Sequence, residues 1–205
     1  DDAQAVCMQV KFDEKTCQME LPDEYQFMDY GMDLYAPQST LDAEGRRILT
    51  AWLRMPEPVD GKWQGMMSIP RVVEVKEGHI YFRVHPNIQA AYTREISAPS
   101  EADESGYRLR FSLEDGDKVN VGGYIIFRSG NKIYTDRSEL YKKFPNFRKK
   151  FETPELKDGF EMEVYVNPNQ ISVFANNGEA VITNTVYNLG ENIETDVELK
   201  IDTIA

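Results

Sequence analysis

Asp29 and Asp33 stand four residues apart with Gly31 between them, so on an extended segment both carboxylates lie on one face. Two carboxylates in that setting can hydrogen-bond the hydroxyls of a sugar. The same spacing also suits strand-end capping or turn formation, because Asp side chains bond nearby backbone amides. They make a poor acid–base pair on this ground alone, since spacing along a strand says nothing about separation in space. Trp52 and Trp63 have faces on which a sugar ring can stack, but large aromatics in sheet proteins are mostly packing residues, and both are assigned to the core. Arg46, Arg47 and Arg71 carry planar forks that fit carboxylate or phosphate; the plainer expectation is that they bridge acidic neighbours or stay solvated. His79 and His85 are the only histidines, and neither has metal-ligand or nucleophile–base spacing. Cys7 and Cys17 are the only cysteines, too few for a disulfide framework, and only a hairpin over residues 11–15 would bring them together. No metal and no cofactor is expected. Residues 141–151 (YKKFPNFRKKF) mix five cations with aromatics, as a single-strand nucleic-acid platform does. The acidity of the whole chain opposes that reading, and an exposed loop or short helix is expected there instead.

The elements that must position these residues are strands. Helical periodicity is nearly absent, while short runs of period-two alternation recur between Gly, Pro, Asn and Asp clusters. In residues 160–166 (FEMEVYV), Phe160, Met162, Val164 and Val166 face one way and Glu161, Glu163 and Tyr165 the other, the mark of a half-buried strand. Residues 171–175 and 180–187 flank Asn176-Asn177-Gly178, where Asn-Gly supplies the positive backbone angles of a tight hairpin. Residues 107–113, 119–127 and 193–201 read as further strands, with Gly122-Gly123 as a bulge. That spacing suits a two-sheet sandwich. Pro86, Pro99 and the polar run SAPSEADESG interrupt the pattern over residues 85–105 and place a boundary there. The part before it has too few turns to close a barrel or propeller by itself.

Composition bounds the partners. With 205 residues, 41% hydrophobic and 11% aromatic, the chain has enough apolar surface to fold. A net charge of -12 disfavours nucleic acid and anionic membrane, which repel it as a whole, and leaves a neutral sugar unaffected. No apolar run reaches the roughly 18 residues of a transmembrane helix, and no signal peptide opens the chain.

Residues 29–71 carry several further signatures in register. Gly31-Met32-Asp33-Leu34-Tyr35-Ala36, Gly45-Arg46-Arg47-Ile48-Leu49 with Ala51-Trp52, and Trp63-x-Gly65-Met66 followed by Ser68-Ile69-Pro70-Arg71 resemble the stretch that follows the acid/base glutamate in glycoside hydrolase family 32. Leu34 replaces the usual Phe, and Ala51 the usual Gly. Further on, Asp136-Arg137-Ser138 is similar to the family's D-R-S element, and Val173-Phe174 with Asn177-Gly178-Glu179 to its E-(V/I)-F-x-x-x-G-E hairpin. The family's three carboxylate motifs, of the WMNDPNG, RDP and EC types, do not occur in the 205 residues.

The resemblance implies an all-β chain, the terminal blades of an incomplete five-bladed β-propeller in residues 1–86 followed by a two-sheet β-sandwich in residues 87–205. It implies the C-terminal part of a cytoplasmic β-fructosidase acting on sucrose or sucrose 6-phosphate, with no catalytic residue in this chain. Asp29, Asp33 and Tyr35 are the implied substrate-binding residues, and Pro56-Glu57-Pro58 and Gly61-Lys62-Trp63 fit the bacterial intracellular branch. The competing expectation is a sugar-binding, lectin-like or purely structural sandwich. A surface left uncovered by absent blades would be apolar and would drive self-association.

Overall fold

The computed structural model describes residues 4–157 and 159–205, and regular structure among them is almost entirely β. The chain opens with two small antiparallel pairs. β1 (Val6–Cys7) pairs with β4 (Gln26–Phe27), and β2 (Lys11–Asp13) with β3 (Gln18–Glu20) between them. A meander follows, built from β5 (Leu34–Leu41), β6 (Arg47–Leu53), β7 (Met66–Met67), β8 (Arg71–Lys76) and β9 (His79–Val84). Its order is β5-β6-β8-β9, all antiparallel, with β7 beside β8 along the same edge of β6. Alternation sets its faces: Leu49, Ala51 and Leu53 of β6 and Ile80, Phe82 and Val84 of β9 are buried. No ring of sheets closes among the described residues.

After Val84 the chain turns through α1 (Pro86–Ala91), capped by the His85 ring, which accepts from the Asn87 amide. It then enters a second sheet system. The strands are β10 (Tyr92–Ile96), β11 (Tyr107–Ser112), β12 (Lys118–Val121), β13 (Tyr124–Ser129), β14 (Lys132–Asp136), β15 (Lys150–Glu152), β16 (Glu161–Asn167), β17 (Gln170–Ala175), β18 (Ala180–Thr185), β19 (Ile193–Glu194) and β20 (Lys200–Ile204). Six form a sheet in the order β10-β20-β11-β16-β17-β18, and five form another in the order β15-β14-β13-β12-β19. One apolar core joins them: Leu109, Val164, Val173 and Ile182 from the first meet Val119, Ile126, Ile133 and Phe151 from the second. Burial of each such side chain contributes about 1.5–3 kcal/mol.

Two local expectations are corrected and a third is refined. Gly122-Gly123 is no bulge: with φ of 57° and 99° it forms a two-residue hairpin between β12 and β13, where Val121 faces Tyr124. Mirror-type turns of that kind match the twist of the flanking strands and require two residues that accept positive φ. Residues 193–201 do not form one strand, since β19 pairs with β12 in one sheet and β20 with β10 and β11 in the other. β16 keeps the expected alternation, with Glu161 exposed and Glu163 partly so, and departs from it at one residue. Its Val164 row faces the inter-sheet core, but Tyr165, on the other face, packs with Tyr92, Phe174 and Val181 against Leu49, Ile80, Phe82 and Val84 of the meander. The outer face of the six-stranded sheet is therefore covered where the meander meets it, around Tyr165, Phe174 and Val181, and open around Arg110, Glu161 and Lys200. Among the described residues no helix is long and apolar enough to cross a membrane.

Candidate functional site

β18 is the last strand of its sheet, so its outer edge presents amides that no seventh strand receives. Residues 28–34 run along that edge and satisfy it by unusual means. The Tyr30 amide donates to the Val181 carbonyl at 2.8 Å. The Thr183 amide donates to Asp29 Oδ1 at 2.8 Å, and the Thr185 amide to Asp33 Oδ2 at 2.7 Å. Two carboxylates thus stand where the carbonyls of a neighbouring strand would be. Gly31 makes the approach feasible, because a Cβ there would lie 1.9 Å from the Thr183 carbonyl oxygen, and Asn184 Nδ2 donates to the Gly31 carbonyl at 2.7 Å.

Each carboxylate is held by an arginine from elsewhere. Arg71, fully buried at the start of β8, donates to Asp29 Oδ2 at 2.6 Å, to Thr183 Oγ1 at 2.7 Å and to the Met28 carbonyl at 3.2 Å. Arg137 forks onto Asp33 at 2.5 and 3.0 Å, donates to the carbonyls of Thr185 and Arg148, and lies 3.9 Å from the centre of the Tyr141 ring. Burial pushes the Asp29 carboxyl up, against the opposing pull of Arg71 and the two backbone donors. The four-residue spacing does place both carboxylates on one face. That face meets protein, and every carboxylate oxygen is engaged by a protein donor.

The hairpin loop between β17 and β18 has positive φ at Asn176, Asn177 and Gly178, as Asn-Gly led us to expect, but spans four residues. It too meets the meander: Phe82 donates to the Gly178 carbonyl, Arg83 to the Asn177 carbonyl, and His79 Nε2 lies 2.7 Å from the Glu179 carbonyl oxygen. His85 sits beside Asp42, whose carboxylate receives the Arg46 amide and guanidinium and closes the turn between β5 and β6. Both histidines and Arg46 serve the framework.

Tyr35, the third site residue from sequence, is placed differently. It is 45% exposed and meets Trp52, itself 40% exposed, edge to face with centroids 6.1 Å apart. Trp52 and the 43% exposed Trp63 are therefore not core residues, contrary to expectation. Trp52 alternates with the buried Ala51 and Leu53, so it lies on the outward face of β6, a signal that the period-two pattern already held. Gly65 (φ 85°) packs against the Trp52 indole, where a Cβ would come within 1.9 Å of Nε1. Beside this aromatic pair opens a cavity of about 400 Å³, bounded by Met32, Asp33, Trp52, Arg54, Met55, Arg137, Asn146, Phe147 and Arg148. Arg54 donates to the Met32 carbonyl and lies 5.4 Å from the Tyr35 ring centre.

Residues 141–149 form the largely exposed loop that was expected, pinned at its start by a buried tyrosine. Tyr141 is fully buried and clusters with Phe144, Phe147 and Tyr187, while Lys142 and Lys143 point to solvent and pair with Glu139 and Glu57. Tyr141 is turned in and Phe144 partly so, while Phe147 stays 41% exposed, so the rings pack on one another and on Tyr187 instead of lining up as a stacking platform. Cys7 and Cys17 are unbonded. Among the described residues no group of His, Cys, Asp and Glu converges in a way that could hold a metal ion.

Two family models match the chain. Glycosyl hydrolases family 32 N-terminal domain matches residues 1–86, and glycosyl hydrolases family 32 C terminal matches residues 72–201. The sucrose-6-phosphate hydrolase of Vibrio alginolyticus is 31% identical over 180 residues, which covers 78% of this chain and 36% of that protein. Raffinose invertase of Escherichia coli is 26% identical over 185 residues, covering 80% of this chain and 38% of its own length. Among solved structures, sucrose-6-phosphate hydrolase from Lactobacillus gasseri superposes with a TM-score of 0.76 at 16% identity, over 95% of this chain and 46% of that one. A β-fructofuranosidase from Bombyx mori gives 0.74 at 16% identity, over 97% and 46%. The chain spans little more than a third of the length of the curated relatives it matches.

Proposed function

Because the chain belongs to glycoside hydrolase family 32, we propose that it is part of a β-fructosidase that cleaves the terminal β-fructofuranosyl bond of sucrose or sucrose 6-phosphate in the cytoplasm. Hydrolysis with retention needs one carboxylate as nucleophile and one carboxylic acid as proton donor, about 5–5.5 Å apart. The observation that carries our division of labour is the engagement of Asp29 and Asp33. Both are buried and ion-paired to arginines and bonded to strand-edge amides, so neither is free to act as nucleophile or proton donor. We assign both acid–base roles to carboxylates outside these 205 residues, and the sucrose-6-phosphate hydrolases and invertase among the relatives support that class of reaction.

Within this chain, substrate contact falls to the exposed Tyr35–Trp52 pair, whose rings offer an apolar face to the ring carbons of a sugar. The meander β5-β6-β8-β9 would be one blade of a propeller, with β5 and the exposed aromatics turned to the remaining blades. The two sheets after residue 86 act as a sandwich-like support whose edge strand β18 anchors residues 28–34. A lectin-like reading has less behind it, since on the five-stranded sheet the stacked, half-buried pair Phe127–Tyr134 has no further aromatic partner among the described residues.

The test is glucose release from sucrose, or glucose 6-phosphate release from sucrose 6-phosphate, by this chain and by a form extended to the length of its relatives. Turnover by the extended form alone supports the reading. Turnover by the 205-residue chain would overturn it and return the chemistry to residues within it.

A further inference from the structure

Two backbone irregularities bracket Tyr35. Met32 and Ala36 both have positive φ, at 67° and 48°, a region that side chains other than Asn and Asp enter at a cost. β5 also carries one residue more than β6 beyond Tyr35, since Tyr35 faces Trp52 and Gln38 faces Thr50. A bulge of this kind re-aims the side chains beside it, and Pro37, which has no amide to donate, sits inside it. Strained backbone persists only where its surroundings over-determine it. Here the restraint comes from two sides. From β6, the Arg54 amide donates to the Asp33 carbonyl at 2.9 Å and the Arg54 side chain to the Met32 carbonyl at 2.7 Å. From the second sheet system, Arg137 and Thr185 take both oxygens of Asp33.

Arg137 borders the cavity beside Trp52, yet all five of its N–H groups are taken by Asp33 and by the carbonyls of Thr185 and Arg148. It has no donor left for a ligand and can act on one only through Asp33. Asp33 in turn cannot shift without breaking a buried ion pair. Leu34, the one residue between Asp33 and Tyr35, is buried against Ala51 and Leu53 of β6, so the backbone of Tyr35 follows that of Asp33. We propose, given the β-fructosidase reading and the substrate contact it assigns to Tyr35 and Trp52, that Arg137 is a positioning residue for substrate recognition. Through Asp33 it holds the strained stretch 32–36 so that the Tyr35 ring stands against Trp52, and the second sheet system thereby sets the affinity of a site on the meander. A strut that served only the fold would leave the exposed pair, and the affinity of the folded enzyme, untouched.

The readout is the split between KM and kcat in the form extended to the length of its relatives. Apolar contact with Tyr35 and Trp52 is the same in ground and transition states, so losing their arrangement raises KM and spares kcat. Arg137→Lys keeps the charge and loses the planar fork. It should raise KM about 3- to 10-fold, the scale of one aromatic contact, with kcat changed less than about twofold. Added to Tyr35→Ala, it should raise KM no further. If Arg137→Lys does not fold, Thr185→Val takes its place with the same expected direction, since it removes the hydroxyl that Asp33 and Tyr141 share. A lower kcat at unchanged KM, or a further rise on Tyr35→Ala, overturns the positioning role and leaves the proposed function standing. A KM that ignores Tyr35→Ala overturns the substrate contact and the proposal with it. An extended form that cleaves neither sugar overturns the proposed function, and the positioning is then decided in the 205-residue chain. There Trp63→Phe leaves Trp52 as the sole tryptophan. In that background Arg137→Lys should flatten the near-UV circular dichroism of Trp52 at an unchanged far-UV spectrum, and a retained band overturns the proposal.

Discussion

Removing the Asp33 carboxylate should cost this fold far more than a surface substitution does. Its oxygens receive Arg137 at 2.5 and 3.0 Å, the Thr185 amide at 2.7 Å and the Thr185 hydroxyl at 2.9 Å. The side chains of Asp33 and Arg137 are only 7% and 1% exposed. Breaking such a pair from one side costs about 3–5 kcal/mol, because the surviving charge stays buried without its partner. The orphaned Thr185 amide adds about 1–3 kcal/mol. Arg137 keeps the carbonyls of Thr185 and Arg148 and the Tyr141 ring, which brings the total for Asp33→Ala toward about 4 kcal/mol. Against a net stability of about 5–15 kcal/mol that is severe. Urea unfolding read by circular dichroism measures it, with an unchanged m-value confirming that the native state has lost stability and not compactness. The sign of the coupling is the sharper test. Arg137→Met strands a buried carboxylate, and Asp33→Asn added to it removes that charge while keeping an acceptor for the Thr185 amide. The double variant should therefore be more stable than Arg137→Met alone. A cost below about 1 kcal/mol for Asp33→Ala, or a double variant weaker than Arg137→Met, would refute the strut.

Three further outcomes follow from the same geometry. Gly31→Ala drives a Cβ to 1.9 Å from the Thr183 carbonyl oxygen, so residues 28–34 must lift off β18; a loss of about 3 kcal/mol or more in urea unfolding is expected, and a loss under about 1 would show that the close approach is not needed. Burial pushes the Cys7 thiol from 9.0 up to about 11, which cuts its thiolate fraction roughly 100-fold, so iodoacetamide followed by peptide mass mapping should label the exposed Cys17 well before Cys7. Desolvation works to raise Asp42, but hydrogen bonds from the Arg46 side chain and backbone and from His85 hold it at about 2 against an ordinary 3.8. A depressed folded value means stability that is present above the ordinary value and lost as pH falls through about 2, so melting temperatures of the wild type should drop more steeply over that window than those of Asp42→Asn.

Much of the site could be read from residue types, and the part that could not turned on what lay opposite. The pair Asp29 and Asp33, the glycine between them and the arginines at 71 and 137 all stand out in the string, since charged residues spaced at strand period beside a glycine invite a role. Their partners do not. Thr183 and Thr185 lie about 150 residues away in an ordinary alternating run, and only the end of a sheet gives them amides in need of acceptors. The same holds for Trp52, whose outward position follows from the alternation within β6 even though its aromatic character argued for burial.

By itself the sequence determined the all-β class, most strand positions, the positive-φ loop at Asn176-Asn177-Gly178 and the family, because alternation, turn chemistry and motif spacing are local properties of the string. Tertiary structure decided the rest. Whether Gly122-Gly123 bends a strand or ends one, whether residues 193–201 serve one sheet or two, and whether a carboxylate faces solvent or an arginine all depend on which surfaces face each other after folding. Edge amides, buried arginines and a tyrosine covered on the far side of β16 acquire their energetic meaning only from neighbours distant in sequence. For that reason the chemistry of Asp29 and Asp33 was visible in one dimension, and their engagement only in three.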